Sequence, residues 1–419
     1  AMSERTAKGG KPFDLAIAGG GPLGRTLALA LARLAPQGFR IALVDAEPEG
    51  AGRSAKGDAR ALALSAATKN LLSALDLWAE LAPSVQAIEK IEITDSALSA
   101  ALRPHLLGFD DELEANGTRA FMAEHGDLAR VLAARVAATP AITVYAADRV
   151  TDFDTGPFAV EVSLRSGETI AASLLVAADG KRSALRERAG MKCVGWSYPQ
   201  VGIVTTVAHE RPHHGKAVQH FLPSGPFAIL PLTGNRSSIV WTEDAAEGAA
   251  IMAAGEERFL AELTKRFGAR LGAISLAGPR QSFSLDMQIA RAFVADRFAL
   301  IGDAAHVVHP LAGQGLNIGM RDVAALTEIV VETARLGLDI GGAVPLERYE
   351  RWRRFDSAFS AAVMDGLNRL FSNDSAPLRT LRDLGLGLVD RVPAVKQFLV
   401  REAAGRTGTV PSLLTGERF

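Results

Sequence analysis

The chain has 419 residues, 48% of them hydrophobic, enough for two domains or for one large domain carrying an insertion. Its 46 Lys and Arg nearly cancel 47 Asp and Glu, so no basic field argues for a nucleic-acid partner. The one cysteine, Cys193, excludes an internal disulfide and any multi-cysteine metal site, suits a reducing cytoplasm and reads as a small packing residue.

Ala1 before Met2 reads as an expression scar, and the polar stretch 1–11 lacks the apolar core of a secretion signal and is expected to be disordered or loosely attached. No uncharged apolar run reaches the roughly 18 residues of a membrane span. Phe13–Ala18 reads as a short buried strand, followed by Gly19-Gly20-Gly21-Pro22-Leu23-Gly24. Leu27, Leu29, Leu31 and Leu34 then predict a helix apolar nearly all round, and Ile41–Val44 a second strand ending at Asp45. This is the strand–turn–helix–strand context that a dinucleotide fingerprint requires, with the acid about 20 residues beyond the glycines. Gly19 permits the tight turn, Gly21 the approach of a pyrophosphate and Gly24 the close packing of helix on strand. Pro22 opens a helix whose N-terminus favours phosphate charge, and Asp45 can accept hydrogen bonds from a ribose. Up to this point NAD and FAD fit equally.

Further on, Leu174–Ala178 reads as a strand ending in the Asp179-Gly180 turn, with Ser183 capping a helix that carries Arg182 and Arg186. Short alternating runs at Gly202–Val207, Phe227–Leu232 and Ser237–Thr242 read as antiparallel strands. Phe298–Ile301 is a strand ending at Gly302-Asp303. A loop with His306, His309 and Pro310 follows, and Gly313-Gln314-Gly315 leads into a long helix from about Leu316. His213-His214, His306 and His309 invite a metal reading, but adjacent side chains diverge in a strand or helix, so no metal is expected. The chain has no nucleophile elbow, no HExxH and no second glycine fingerprint in a strand–helix context.

Together the clusters at 13–45, 174–190 and 297–330 resemble the class A flavoprotein monooxygenases, over nearly the whole chain. "GDARALALSAATKNLLSALDLW", "FLPSGPFAILPL", "HPLAGQGLNIGMRDVAAL" and residues 368–400 look like the ubiquinone-biosynthesis hydroxylases, of the 2-octaprenyl-6-methoxyphenol hydroxylase type. The resemblance implies an α/β fold. A discontinuous Rossmann-type FAD-binding domain (12–84, 115–190, 285–355) would carry an inserted, mainly antiparallel β substrate domain (85–114, 191–284) and a C-terminal helical region (356–419). It implies FAD as cofactor and NAD(P)H as co-substrate, with no separate nicotinamide domain.

The same resemblance puts the first glycine turn on the ADP of FAD, Asp179-Gly180 near the pyrophosphate, Gly302 and Asp303 at the ribityl chain, and the segment of Pro310, Gly313, Gln314, Gly315, Leu316 and Asn317 around the flavin ring. The helix of "EHGDLARVL" would bring Leu128 to the cofactor. Its Gly126 stands where the family often has Arg, Gln or Asn, which puts any single flavin contact from that helix in doubt. A helix starting near Gly315 suits the negative charge that reduced flavin carries around N1 and the C2 carbonyl. O2 would then form a flavin C4a-hydroperoxide that attacks an electron-rich ring carbon of a prenylated phenol.

Candidate catalytic supports are Arg60, His306, His309 and Pro310. Arg60 reads as a contact to the cofactor edge or to NAD(P)H phosphate, or else as a surface arginine paired with Asp58. The two histidines read equally as structural groups bonded to backbone or as neighbours of the flavin. Hydroxylation of a small soluble phenol, or a non-catalytic FAD scaffold in a complex of ubiquinone-biosynthesis proteins, are the alternatives. Leu378, Leu381, Leu384, Arg379, Arg382 and Arg391 belong to an apolar stretch rimmed by basic side chains. It suggests peripheral contact with the inner face of the membrane, or packing on the substrate domain.

Overall fold

The computed structural model describes residues 11–48, 60–95, 105–109, 119–308, 314–371 and 410–419. His309, Pro310 and Gly313, the tail 1–10, Asp58 and the basic-apolar stretch 378–401 lie outside these.

Strand β1 (Phe13–Ala18) is apolar on both faces, as a central parallel strand covered by helices on each side must be. It pairs in parallel with β2 (Ile41–Val44) and, on its other edge, with the distant β11 (Thr169–Ala177). The sheet extends in parallel from β2 to β8 (Ile142–Tyr145) and from β11 to β19 (Phe298–Leu300), with β18 (Val294–Ala295) antiparallel at the edge. A hairpin of β9 (Val150–Thr155) and β10 (Val160–Leu164) joins the first half of β11. Its neighbours explain the all-round apolarity of α1 (Pro22–Leu34). Besides the sheet, it packs on α3 (His125–Ala137) and on α7 (Gln314–Arg335), burying Leu27, Leu29, Leu31 and Leu34.

A second sheet is mostly antiparallel. It runs β20 (His306–Val307), β17 (Gln281–Ala290), β12 (Cys193–His209), β15 (Arg236–Asp244), β14 (Gly225–Leu232), β13 (Lys216–Leu222), β5 (Lys90–Asp95), β6 (His105–Phe109), with β16 (Ile274–Leu276) also on β12. The expected strands at 202–207, 227–232 and 237–242 are there, with 237–242 in the middle and antiparallel to both of the others. Helices α5 (Ala245–Ala253) and α6 (Glu256–Phe267) cover one face over Ile203, Phe227, Ile239 and Trp241. A small sheet of β3 (Ala61–Leu64), β7 (Phe121–Glu124) and β4 (Gln86–Ala87) lies between the two, with Met122 packed against Ala217 and Leu232 of the second sheet. Short helices α2 (Ala66–Ala74) and α4 (Ala184–Arg188) follow β3 and β11. The architecture is α/β with a Rossmann-type unit, as expected.

Helix α8 (Ala343–Phe371) runs without a break across residue 355, and the short α9 (Ser412–Thr415) returns to the first unit. There Leu413 and Leu414 are buried, Asn70 donates to the Leu414 carbonyl, and Glu328 accepts from the Ser412 amide. The end of the chain therefore packs on the Rossmann-type unit. Among the described residues no helix is long and apolar enough to cross a membrane.

Candidate active site

Three turns far apart in sequence meet at the carboxyl ends of β1, β11 and β19. The register Ala18↔Ala177 sets Gly19 against Ala178, and Gly19 has φ +123°, where a Cβ would stand 2.2 Å from the Ala178 carbonyl oxygen. Gly24 has the same necessity from packing, because a Cβ there would fall 2.0 Å from the Gly19 oxygen. Leu23, between them, reaches the third turn: its Cδ1 lies where a Cβ on Gly302 or Gly319 would be, at 2.1 and 2.4 Å. One leucine thus interlocks the glycine fingerprint, the Gly302-Asp303 turn and helix α7. Arg186, buried on α4 behind the Ser183 cap, ties the other pair of turns. It donates to the Lys181 carbonyl at 3.2 Å and to the Ala304 carbonyl at 2.9 Å.

The glycines that fold the turn are distinct from those that leave it open. A Cβ on Gly21, Gly180 or Gly315 would meet no protein atom within 4 Å. Gly21 and Pro22 stand at the N-terminus of α1 and Gly315 in the first turn of α7, so both helices present unpaired N–H groups and a positive dipole end beside bare backbone. That cradle fits the phosphates and ring of FAD. Leu316 follows Gly315 and is half-buried. Asp303 follows Gly302 on the third turn. Its tip is open to solvent, yet enough protein surrounds it that burial pushes its pKa up, against the opposing pull of His306, Arg60 and Lys181. Asp179 behaves alike, raised by burial while the Ser183 hydroxyl pulls it down. Asp45, just past the end of β2, is buried, with one oxygen paired to Arg25 at 2.9 Å and the other accepting from the Glu47 amide at 3.1 Å.

Several expected roles change. His306 is 2% exposed and its Nε2 donates to Asp322 at 2.6 Å, so its side chain is enclosed beside the Gly302-Asp303 turn rather than open to solvent. Asn317 is equally enclosed. Its Oδ1 accepts from the Ser65 amide (2.9 Å) and the Thr68 hydroxyl (2.7 Å), and its Nδ2 donates to the Ala63 carbonyl (2.7 Å), so its side chain ties α7 to the β3–α2 junction. Asn317→Ala is expected to leave these buried groups unpaired and to cost about 1–3 kcal/mol, seen as a lower melting temperature of the flavin-free protein. Leu128 is fully buried in the core of the first unit, where its side chain packs rather than lines the recess. Arg60 is half-buried; its charge acts on Asp303, and its guanidinium lies 5.9 Å from the Phe283 ring centroid.

Sequence reading did not find Lys181, which forms an ion pair with Asp286 on β17 and so links the Asp179-Gly180 turn to the second sheet. Nor did it find Asp322, Arg353 and Tyr349, a buried set beneath the Gly302-Asp303 turn. His213 uses both ring nitrogens on backbone, with Nε2 on the Leu232 carbonyl and Nδ1 accepting from the Gly215 amide. Among the described residues no group of His, Cys, Asp or Glu has the grouping of a metal site.

A family model described as FAD binding domain matches residues 13–354. The chain belongs to this FAD-binding family. Within it, the chain is 43% identical to a ubiquinone hydroxylase, UbiL, of Rhodospirillum rubrum, over 96% of this chain and 91% of the relative. It is 33% identical to the 3-demethoxyubiquinol 3-hydroxylase of Escherichia coli K12, over 94% of this chain and 99% of the relative. In fold it is similar to the p-nitrophenol 4-monooxygenase PnpA of Pseudomonas putida DLL-E4, with a TM-score of 0.77, 18% identity, and 95% and 99% of the two chains covered. The protein is thus a FAD-dependent aromatic-ring hydroxylase of the ubiquinone-biosynthesis group, a class of enzyme that takes its electrons from NAD(P)H.

Proposed function

We propose that this hydroxylase acts on the ring of a polyprenylated phenol, consuming one NAD(P)H and one O2 per turnover. The phenol C–H becomes C–OH, the second oxygen atom leaves as water, and NAD(P)H and a proton supply the two electrons and two hydrogens. Bound FAD supplies the oxygen-activating chemistry. The observation that carries this reading is the convergence of three turns on one recess, beside an apolar cluster. Met287 of β17, Val308, Ile318 of α7 and Tyr198 pack together where the second sheet meets the flavin segment.

In this reading Gly19, Gly21, Pro22 and Gly24 hold the pyrophosphate, Asp45 the adenosine ribose, and Asp179 and Gly180 the other side of the phosphates. Asp303 accepts from a ribityl hydroxyl. The backbone N–H groups of Gly315, Leu316 and Asn317 face the ring edge that gains negative charge, which backbone donors do without offering an oxidisable side chain. Arg60 holds the open flank of Asp303. Contact with other ubiquinone-biosynthesis proteins or with a membrane surface belongs to this proposal, because the substrate tail is lipid-soluble.

Asp303→Ala is expected to lose a charge-assisted hydrogen bond of about 1.5–3 kcal/mol, hence roughly ten- to a hundredfold in FAD affinity by fluorescence titration. The function itself is tested by supplying the holoenzyme with NADPH or NADH, 18O2 and either a prenylated phenol or a short soluble phenol. One labelled oxygen in the prenylated product supports the proposal. Labelling of the soluble phenol alone favours the small-substrate reading, and nicotinamide oxidation without labelling of either defeats the hydroxylase reading of these substrates.

A further inference from the structure

Asp322 lies two turns into α7 and is fully buried, touching no open surface. Its Oδ2 accepts from the Gly302 amide at 2.9 Å and from His306 Nε2 at 2.6 Å, while Oδ1 accepts from Arg353 Nε of α8 at 2.7 Å. Two donors therefore come from either side of Asp303, one residue before it and three after it. Gly302 has φ +59°, a left-handed conformation that turns its N–H inward, where without Asp322 it would have no acceptor. Burial pushes the Asp322 pKa up, but His306 and then Arg353 outweigh it and hold the carboxyl below its usual range, so the group is ionised and accepts at both oxygens. Three donors and no acceptor surround it. An amide in its place would turn an NH2 against one of them.

We infer that Asp322 is the positioning residue of the flavin turn: it fixes Gly302 and His306, and through them the direction of the Asp303 carboxyl. A buried ion pair that only stabilised α7 against α8 would need the Arg353 contact alone. The other oxygen is spent entirely on the segment that carries Asp303. The inference rests on the assignment of Asp303 to the ribityl chain, and the test separates the two.

The full-length protein, stripped of FAD and titrated with FAD, is compared as Asp322→Asn, Asp303→Ala and the double variant. Asp322→Asn is expected to weaken FAD by about tenfold or more and to shift the visible spectrum of the bound flavin. In the Asp303→Ala background the same change should add less than about threefold, because both variants remove one interaction. Full additivity, or Asp322→Asn affinity within about threefold of the parent, overturns the inference. Asp303→Ala with parental affinity overturns the Asp303 assignment instead, and the inference with it. If Asp322→Asn does not fold, His306→Gln carries the same cycle with the same criteria, since it leaves the Asp322–Arg353 pair in place.

Discussion

Gly21→Val is expected to give a folded protein that no longer retains FAD. Three of the four glycines of the opening turn carry different burdens. Gly19 stands at φ +123° against the Ala178 carbonyl, and Gly24 within 2.0 Å of the Gly19 oxygen for any added Cβ, so side chains at either would break the turn with or without a ligand. Gly21 is N-cap to α1 at φ −69° and ψ 179°, extended backbone that any residue adopts, and an added Cβ meets nothing within 4 Å. The protein alone has little use for glycine there. Replacing it with valine costs the helix about 1 kcal/mol of capping preference at most. The pyrophosphate must approach that same open backbone, and a branched side chain fills the space. The expected loss exceeds about a hundredfold in FAD affinity. Circular dichroism and the melting temperature of the flavin-free protein should stay near the parent's. A Gly21→Val protein that purifies with full flavin content would remove the opening turn from the cofactor site.

That contrast shows what a sequence can carry. The glycine string, the acid after β2, and the Asp-Gly and Gly-Asp turns were legible because each belongs to a local strand–turn–helix unit, whose spacing follows from backbone geometry. The strands of the second sheet were legible from alternation. The bonding beneath the site was not. In "GMRDVAAL", Asp322 reads as an exposed charge on a helix, and in "RYERWRRF" Arg353 is one of several arginines with nothing local to single it out. Their pairing spans 31 residues and depends on how α7 crosses α8. The same blindness left His306 undecided between two roles, because its partner lies 16 residues downstream on another element. Asn317 was read only as part of the flavin segment, and nothing local showed that both polar atoms of its side chain bond to the β3–α2 junction. Lys181 could not be read at all, since Asp286 is 105 residues away on the other sheet.

Arg353→Met is expected to destabilise the flavin-free protein by about 3–5 kcal/mol, the usual cost of removing one partner from a buried ion pair. Methionine matches the length of the stem, so the cost comes from the charge left behind rather than from a void. Arg353 is 2% exposed, with Nε on Asp322 and a second ion pair to Asp356, which also faces Arg321. In the parent, Asp322 has a folded pKa below its unfolded value. It therefore contributes stability above the unfolded value, near 3.9, and loses that contribution as pH falls through the folded one. Without Arg353, burial still pushes the carboxyl up and one of the two charges that oppose it is gone, leaving His306 and the Gly302 amide, so the folded pKa rises. The ionised carboxylate then costs stability at neutral pH, and that cost is relieved as falling pH protonates Asp322. The difference in unfolding free energy between parent and variant should accordingly be larger in urea melts near pH 7.5 than near pH 5. A difference below about 1 kcal/mol, or one that does not change with pH, would mean that the carboxyl beneath the flavin turn does not depend on Arg353 for its charge.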